Sequence, residues 1–208
     1  MLKTFALTGL LFLAPAGGAQ AATVFSEDFS GAGVGTHVLG TIGGTQFEVT
    51  SGDVDIIGPG FFSCVSGATK CLDLIGSAGQ GTIKSNVGID LIAGTTYTIA
   101  YADVLQGFAA GPTPSIDYTV SLGSHSFNLQ SIPTTTLVSL SFTAAVTELG
   151  ALLAFASTSN IDGSHGPVLS GISIDAVATT PIPAALPLFA SALAGMGFVG
   201  WRRRRAQG

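Results

Sequence analysis

The chain has 208 residues, 47% of them hydrophobic, with 7 Lys and Arg against 12 Asp and Glu and a net charge of −5. Lys3 and Arg202 to Arg205 lie at the termini, so the stretch between them sets two lysines, Lys70 and Lys84, against all twelve acids, a balance of −10. Such a surface repels phosphate backbones and offers no basic patch for counterion release, which excludes nucleic acid as a partner, while the length suits one domain with a real core.

The N-terminus begins with Lys3, continues with an apolar run from Phe5 to Ala14, and reaches Ala19, Gln20 and Ala21, which fit the small-x-small rule of signal peptidase. Residues 1–21 are expected to be a signal peptide cut before Ala22. Its apolar run is too short to span a bilayer, and Pro15, Gly17 and Gly18 break it.

From Thr23 onward the pattern has period two, with short apolar and polar alternations separated by Gly, Pro, Ser and Asn. This predicts an all-β ectodomain over residues 22–179. A first strand carries Val24, Phe25 and Phe29, and the glycine-rich stretch from Gly31 to Gly44 reads as loop. Strands are then expected over Gln46 to Thr50, Val54 to Ile57, Cys71 to Ile75, Thr82 to Ser85 and Thr95 to Tyr101. In the last, Tyr97, Ile99 and Tyr101 share a face. After Pro114, Tyr118, Val120 and Leu122 alternate with polar residues, Gly123 and Ser124 suit a type II′ turn, and Phe127 and Leu129 continue the alternation. That register sets Val120 opposite Phe127 and Tyr118 opposite Leu129. Leu137 to Phe142, with Val138, Leu140 and Phe142 inward, then Ala151 to Ser157 and Leu169 to Val177 complete the series. About ten short strands joined by tight turns fit a β-sandwich.

Cys64 and Cys71 lie in the exported part, where thiols are oxidised, and are expected to form a disulfide around the pivot Gly67. No other cysteine and no nearby histidine supports a metal site there.

The C-terminus reads Thr180, Pro181, Ile182, Pro183 and Ala184, then an apolar run to Trp201, then Arg202, Arg203, Arg204 and Arg205. As a helix the run from Ala184 to Trp201 rises about 27 Å, close to the ~30 Å hydrocarbon core, so a single transmembrane helix is expected with its arginines in the cytoplasm. The Pro-x-Pro box, single apolar helix and arginine cluster of residues 180–208 resemble the PEP-CTERM class of bacterial sorting signals, closest to the Val-Pro-Leu-Pro-Ala variant, with Thr180 in place of Val and Ile182 in place of Leu. The resemblance implies export past signal peptidase, transient anchoring in the inner membrane, recognition by an exosortase-type membrane protease, and delivery to the cell surface or extracellular matrix of a Gram-negative bacterium. An ordinary C-terminal anchor is the simpler alternative.

The order of elements, opening at Glu27, Asp28 and Phe29 and closing with Gly166 to Asp175, is similar to jelly-roll domains of the carbohydrate-binding-module type. That resemblance implies a structural calcium between an early and a late acid, here Glu27 or Asp28 with Asp175; the alternative is that Asp175 simply faces solvent. Asp53 and Asp55 share a strand face, with nothing else to mark them as ligands. Phe61, Phe62 and Phe108 sit beside glycines in loops, where they either contact a glycan or fold over the ends of the sandwich. His37, His125 and His165 are scattered and match no nucleophile or metal-ligand spacing, so no catalytic residue is assigned and an enzyme is not expected. No cofactor is required, the structural calcium being implied by the resemblance alone. The sequence thus points to an exported surface or matrix protein associated with exopolysaccharide, the alternative being a jelly-roll carbohydrate-binding module.

Overall fold

The computed structural model describes residues 20–58, 64, 67–77, 79–105, 115–159, 165–178 and 185–205. The chain divides into two compact units, one of Ala21–Thr179 and one of Met1–Gln20 with Thr180–Gly208.

The larger unit is built from strands: β1 Ala21–Glu27, β2 Gly35–Thr41, β3 Phe47–Ile57, β4 Cys71–Asp73, β5 Ile75–Gly76, β6 Gly79–Gln80, β7 Thr82–Ser85, β8 Ile89–Leu91, β9 Thr95–Leu105, β10 Ile116–Leu122, β11 His125–Ser131, β12 Thr136–Thr143, β13 Glu148–Ala151, β14 Leu153–Ser157 and β15 Pro167–Ala178. The main sheet runs β11-β10-β14-β7-β3-β4-β15-β9-β12, with β1 on β15 and β2 on β3. Its two halves face each other. Phe127 of β11 meets Phe142 of β12 at 6.3 Å between ring centroids, and Tyr101 of β9 meets Phe155 of β14 edge-on at 5.2 Å. The result is a sandwich whose inward alternating residues form one core, centred on the fully buried Phe29, Phe47, Tyr118 and Phe155.

The hairpin of β10 and β11 has the expected register, Tyr118 opposite Leu129 and Val120 opposite Phe127. Gly123 has φ 57° and Ser124 does not share its positive φ, the pattern of a type II′ turn. Tyr97, Ile99 and Tyr101 all point into the core. The disulfide between Cys64 and Cys71 is present, with Cα atoms 5.6 Å apart.

Two expectations are corrected. The stretch from Gly31 to Gly44 contains a strand, β2, paired with β3 through two register shifts. It is almost wholly exposed, so its sequence carries no alternation of apolar residues; the pairing rests on backbone hydrogen bonds, with His37 and Gly40 at φ 57° and 63°. The expected transmembrane helix is the second: no helix among the described residues is long and apolar enough to cross a membrane. The helix α1, Ala185–Arg205, gives its last turn to arginines, and Pro187, Ser191, Gly195 and Gly197 dilute the apolar run before them.

Candidate functional site

The outer face of β11, β10, β14 and β7 is lined by small and polar side chains, because the apolar half of each alternation is spent on the core. On β10 these are Asp117, Thr119 and Ser121, on β11 Ser126, Asn128 and Gln130, on β14 Ala154 and Ala156, and on β7 Thr82 and Lys84. Register lines them up in two rows across the strands. One runs Asn128, Thr119, Ala156, Thr82; the other runs Ser126, Ser121, Ala154, Lys84 and on to Glu48 of β3. The alanines form a low floor between two polar walls, and three strand spacings make the face roughly 14 Å across.

One end of this face deepens into an open groove of about 510 Å³, lined by Asp117, Tyr118, Thr119, Asn128, Leu129, Gln130 and Thr158. Gln130 Nε2 donates to Asp117 Oδ1 at 2.8 Å and the Thr119 hydroxyl donates to Asn128 Oδ1 at 3.2 Å. The backbone on either side of Asp117 is fixed as well: its N–H donates to the Ser159 hydroxyl at 2.6 Å and its carbonyl accepts from Thr158 and Ser159. The wall thus presents amides and hydroxyls that both donate and accept, with one carboxylate as acceptor, on rigid strands. That is the chemistry needed to hold vicinal hydroxyls. Tyr118 contributes backbone only, being 1% exposed, and Tyr97 and Tyr101 are likewise buried.

Beneath the groove lies a buried polar cluster. Asp103 accepts from the Ser131 hydroxyl at 2.8 Å and from the Tyr118 hydroxyl at 3.1 Å, while the Tyr101 and Tyr118 oxygens are 2.9 Å apart. Burial pushes the Asp103 carboxyl up to about 6 and raises both phenols above the usual tyrosine value. The cluster ties β9, β10 and β11 together under the polar wall.

The acids expected to hold calcium are placed apart. Glu27 lies opposite Ile172 and Asp175 opposite Thr23, three residues or about 10 Å along β15. Glu27 is buried, its Oε1 accepting from the Phe29 N–H at 2.7 Å and its Oε2 from the Gln46 N–H at 2.8 Å. Asp28 accepts from the Ser30 N–H at 2.9 Å, and hydrogen bonds from the Ser30 side chain and backbone lower its pKa. Asp175 accepts from the Thr23 hydroxyl at 2.6 Å. Calcium asks for six to eight oxygens, and among the described residues no group of three or more His, Cys, Asp or Glu could hold a metal ion. Phe61, Phe62, Phe108, Pro181, Ile182, Pro183 and Ala184 lie outside the described residues.

Asp53 and Asp55 do gain a partner that sequence spacing did not show. His37 Nδ1 sits 2.6 Å from Asp53 Oδ2, and the His37 N–H donates to Asp55 Oδ1 at 2.8 Å. Burial first, then the charge of Asp53, raises the Asp55 pKa, against the hydrogen bond from His37. The imidazole is half exposed and lies against the buried Asp53 carboxylate. His125 stacks on the partly buried Phe142 with ring centroids 3.8 Å apart.

No family model matches the sequence, and no curated protein matches it. Similar solved structures include the tandem CBM22-1–CBM22-2 domain of Xyn10C from Paenibacillus barcinonensis, at 12% identity and a TM-score of 0.49 over 81% of this chain and 50% of that one. The CBM22-1–GH10 modules of Clostridium thermocellum xylanase 10B, complexed with xylohexaose, match at 14% and 0.45 over 78% and 30%. A family 35 carbohydrate binding module from Clostridium thermocellum matches at 11% and 0.35 over 75% and 98%. The chain spans half or less of the length of the first two. At these TM-scores the likenesses carry no functional weight.

Proposed function

We propose that the sandwich is a glycan-binding module that holds an extended, neutral polysaccharide along the outer face of β11, β10, β14 and β7. The observation that carries this is the pair of polar walls, Asp117, Asn128 and Gln130 on one side and Thr82 and Lys84 on the other, set across the alanine floor and ending in the groove. A polymer of sugars offers hydroxyls at regular spacing, and a strand face offers donors and acceptors at regular spacing to meet them. No tyrosine or tryptophan stacks on this face among the described residues, so recognition rests on hydrogen bonding. The acid excess of the domain opposes uronate-rich or sulfated chains. Affinity electrophoresis of the full chain against a panel of neutral and acidic polysaccharides tests this. Retardation by at least one neutral polymer and by no polyuronate is expected, and free migration through all of them would refute the proposal.

The tail favours a second reading that is compatible with the first: an exported surface or matrix protein sorted by an exosortase-type protease. Its specific support is position, since α1 starts at Ala185 immediately after the Pro181-Ile182-Pro183-Ala184 box and ends in Arg202 to Arg205. Intact mass of the protein recovered from the cell surface, with and without P181A/P183A, checks it. Loss of the arginines in the wild type and their retention in the variant is expected; arginines retained in both would contradict it.

A further inference from the structure

The loop after β1 is wound tightly enough to aim its carbonyl oxygens at one point. Phe29 is fully buried with φ 59°, a backbone conformation that bulky residues rarely adopt, and the Glu27 carboxylate holds it there through the Phe29 N–H. The Ala32 N–H closes a turn on the Phe29 carbonyl at 3.0 Å. Gly31 packs so closely on Gly44 that a side-chain carbon at either would collide with the other's carbonyl oxygen. Ser30 and Ala32 are left with their carbonyls directed at the same group, the Lys70 ammonium, at 2.8 Å from Ser30 O and in contact with Ala32 O.

We propose that Lys70 is the cation of this loop, its ammonium standing where a metal ion would otherwise be needed, so that the N-terminal segment is closed without calcium. Among the described residues the early and late acids are hydrogen-bonded away from these carbonyls: both Glu27 oxygens accept backbone N–H groups, Asp28 accepts from Ser30 and Asp175 from Thr23. Two carbonyls alone are far short of a calcium shell, but they suit an ammonium, which has three donors and a single charge. The lysine is also held in place from its own side. Its neighbour Cys71 is fully buried, paired with Ile57 of β3 and linked to Cys64, so the stem leaves from a fixed point. The clasp joins segments 38 and 40 residues apart.

The test is the thermal midpoint of the full chain, purified in mild detergent, in EDTA and in excess calcium chloride, for the wild type, Lys70→Met and Lys70→Arg. Methionine keeps the apolar stem and removes the charge; arginine keeps the charge. The wild-type midpoint should be the same in EDTA and in calcium. K70M should fall by about 5 °C in both and K70R by much less, the scale of losing charge-assisted hydrogen bonds in a domain of this size. A wild-type midpoint that rises by several degrees in calcium, or a K70M midpoint equal to the wild type, would overturn the proposal. If K70M does not fold, the wild-type comparison still decides whether the loop needs a metal.

Discussion

Tyr118 donates its phenolic hydrogen to the buried carboxylate of Asp103 at 3.1 Å, joining β10 to β9 through the middle of the core. The folded carboxyl keeps its proton to about pH 6, because burial penalises the charged form, whereas the ordinary aspartate value is 3.8. Stability from this group is therefore fully present below the unfolded value and is lost as pH rises through about 6, by roughly 3 kcal/mol in all. Asn at this position cannot titrate. Urea denaturation at pH 4 and pH 7.5 should show the wild type losing about 2–3 kcal/mol more than D103N over that interval. Parallel pH dependences would show that Asp103 does not titrate as described.

Removing the hydroxyl with Tyr118→Phe leaves Asp103 and Tyr101 each short of a partner. The cost is that of stranding buried polar groups, about 1–3 kcal/mol, and it should be larger at pH 7.5, where the carboxyl is charged, than at pH 4. Denaturation midpoints at the two pH values give the comparison.

Phe155 packs edge-on against both Phe47, at 6.3 Å, and Tyr101, at 5.2 Å, and is fully buried. Phe155→Ala opens a cavity between the two halves of the sandwich and should cost about 3–5 kcal/mol, read from the urea midpoint.

The disulfide closes a short loop, and its loss should cost about 2–3 kcal/mol by the loop-entropy argument. C64S/C71S should therefore melt earlier than the wild type under oxidising conditions, and the two should converge once the wild type is reduced.

Much of the sandwich was legible because its strands are half buried. Tyr97, Ile99 and Tyr101, and then Tyr118, Val120 and Leu122, alternate with polar residues, and the Gly123-Ser124 turn fixed the pairing of β10 with β11. Where burial is one-sided, period two writes the face into the sequence. β2 carries no such pattern because it is mostly exposed, so no residue type had to alternate. Asp103 was hidden for the opposite reason: β9 runs on past Tyr101 into Ala102 to Leu105, all buried, where alternation disappears. The polar half of the candidate face could be read from Asp117, Thr119 and Ser121, but its alanine floor and far wall depend on β14 and β7 lying beside β10. Such neighbours are set by packing over long sequence separations and leave no local mark. Lys70 belongs to the same class, since its partners Ser30 and Ala32 are remote in sequence.

Asn128 and Gln130 are the exposed side-chain amides of the polar face, on the solvent side of β11 and outside the core. The deciding measurement is isothermal titration of the wild type and N128A/Q130A with the neutral polysaccharide that retards the wild type most. The variant should bind at least about tenfold more weakly, about 1.4 kcal/mol, with an unchanged melting temperature. Equal binding by the two proteins would contradict the placement of the glycan on this face.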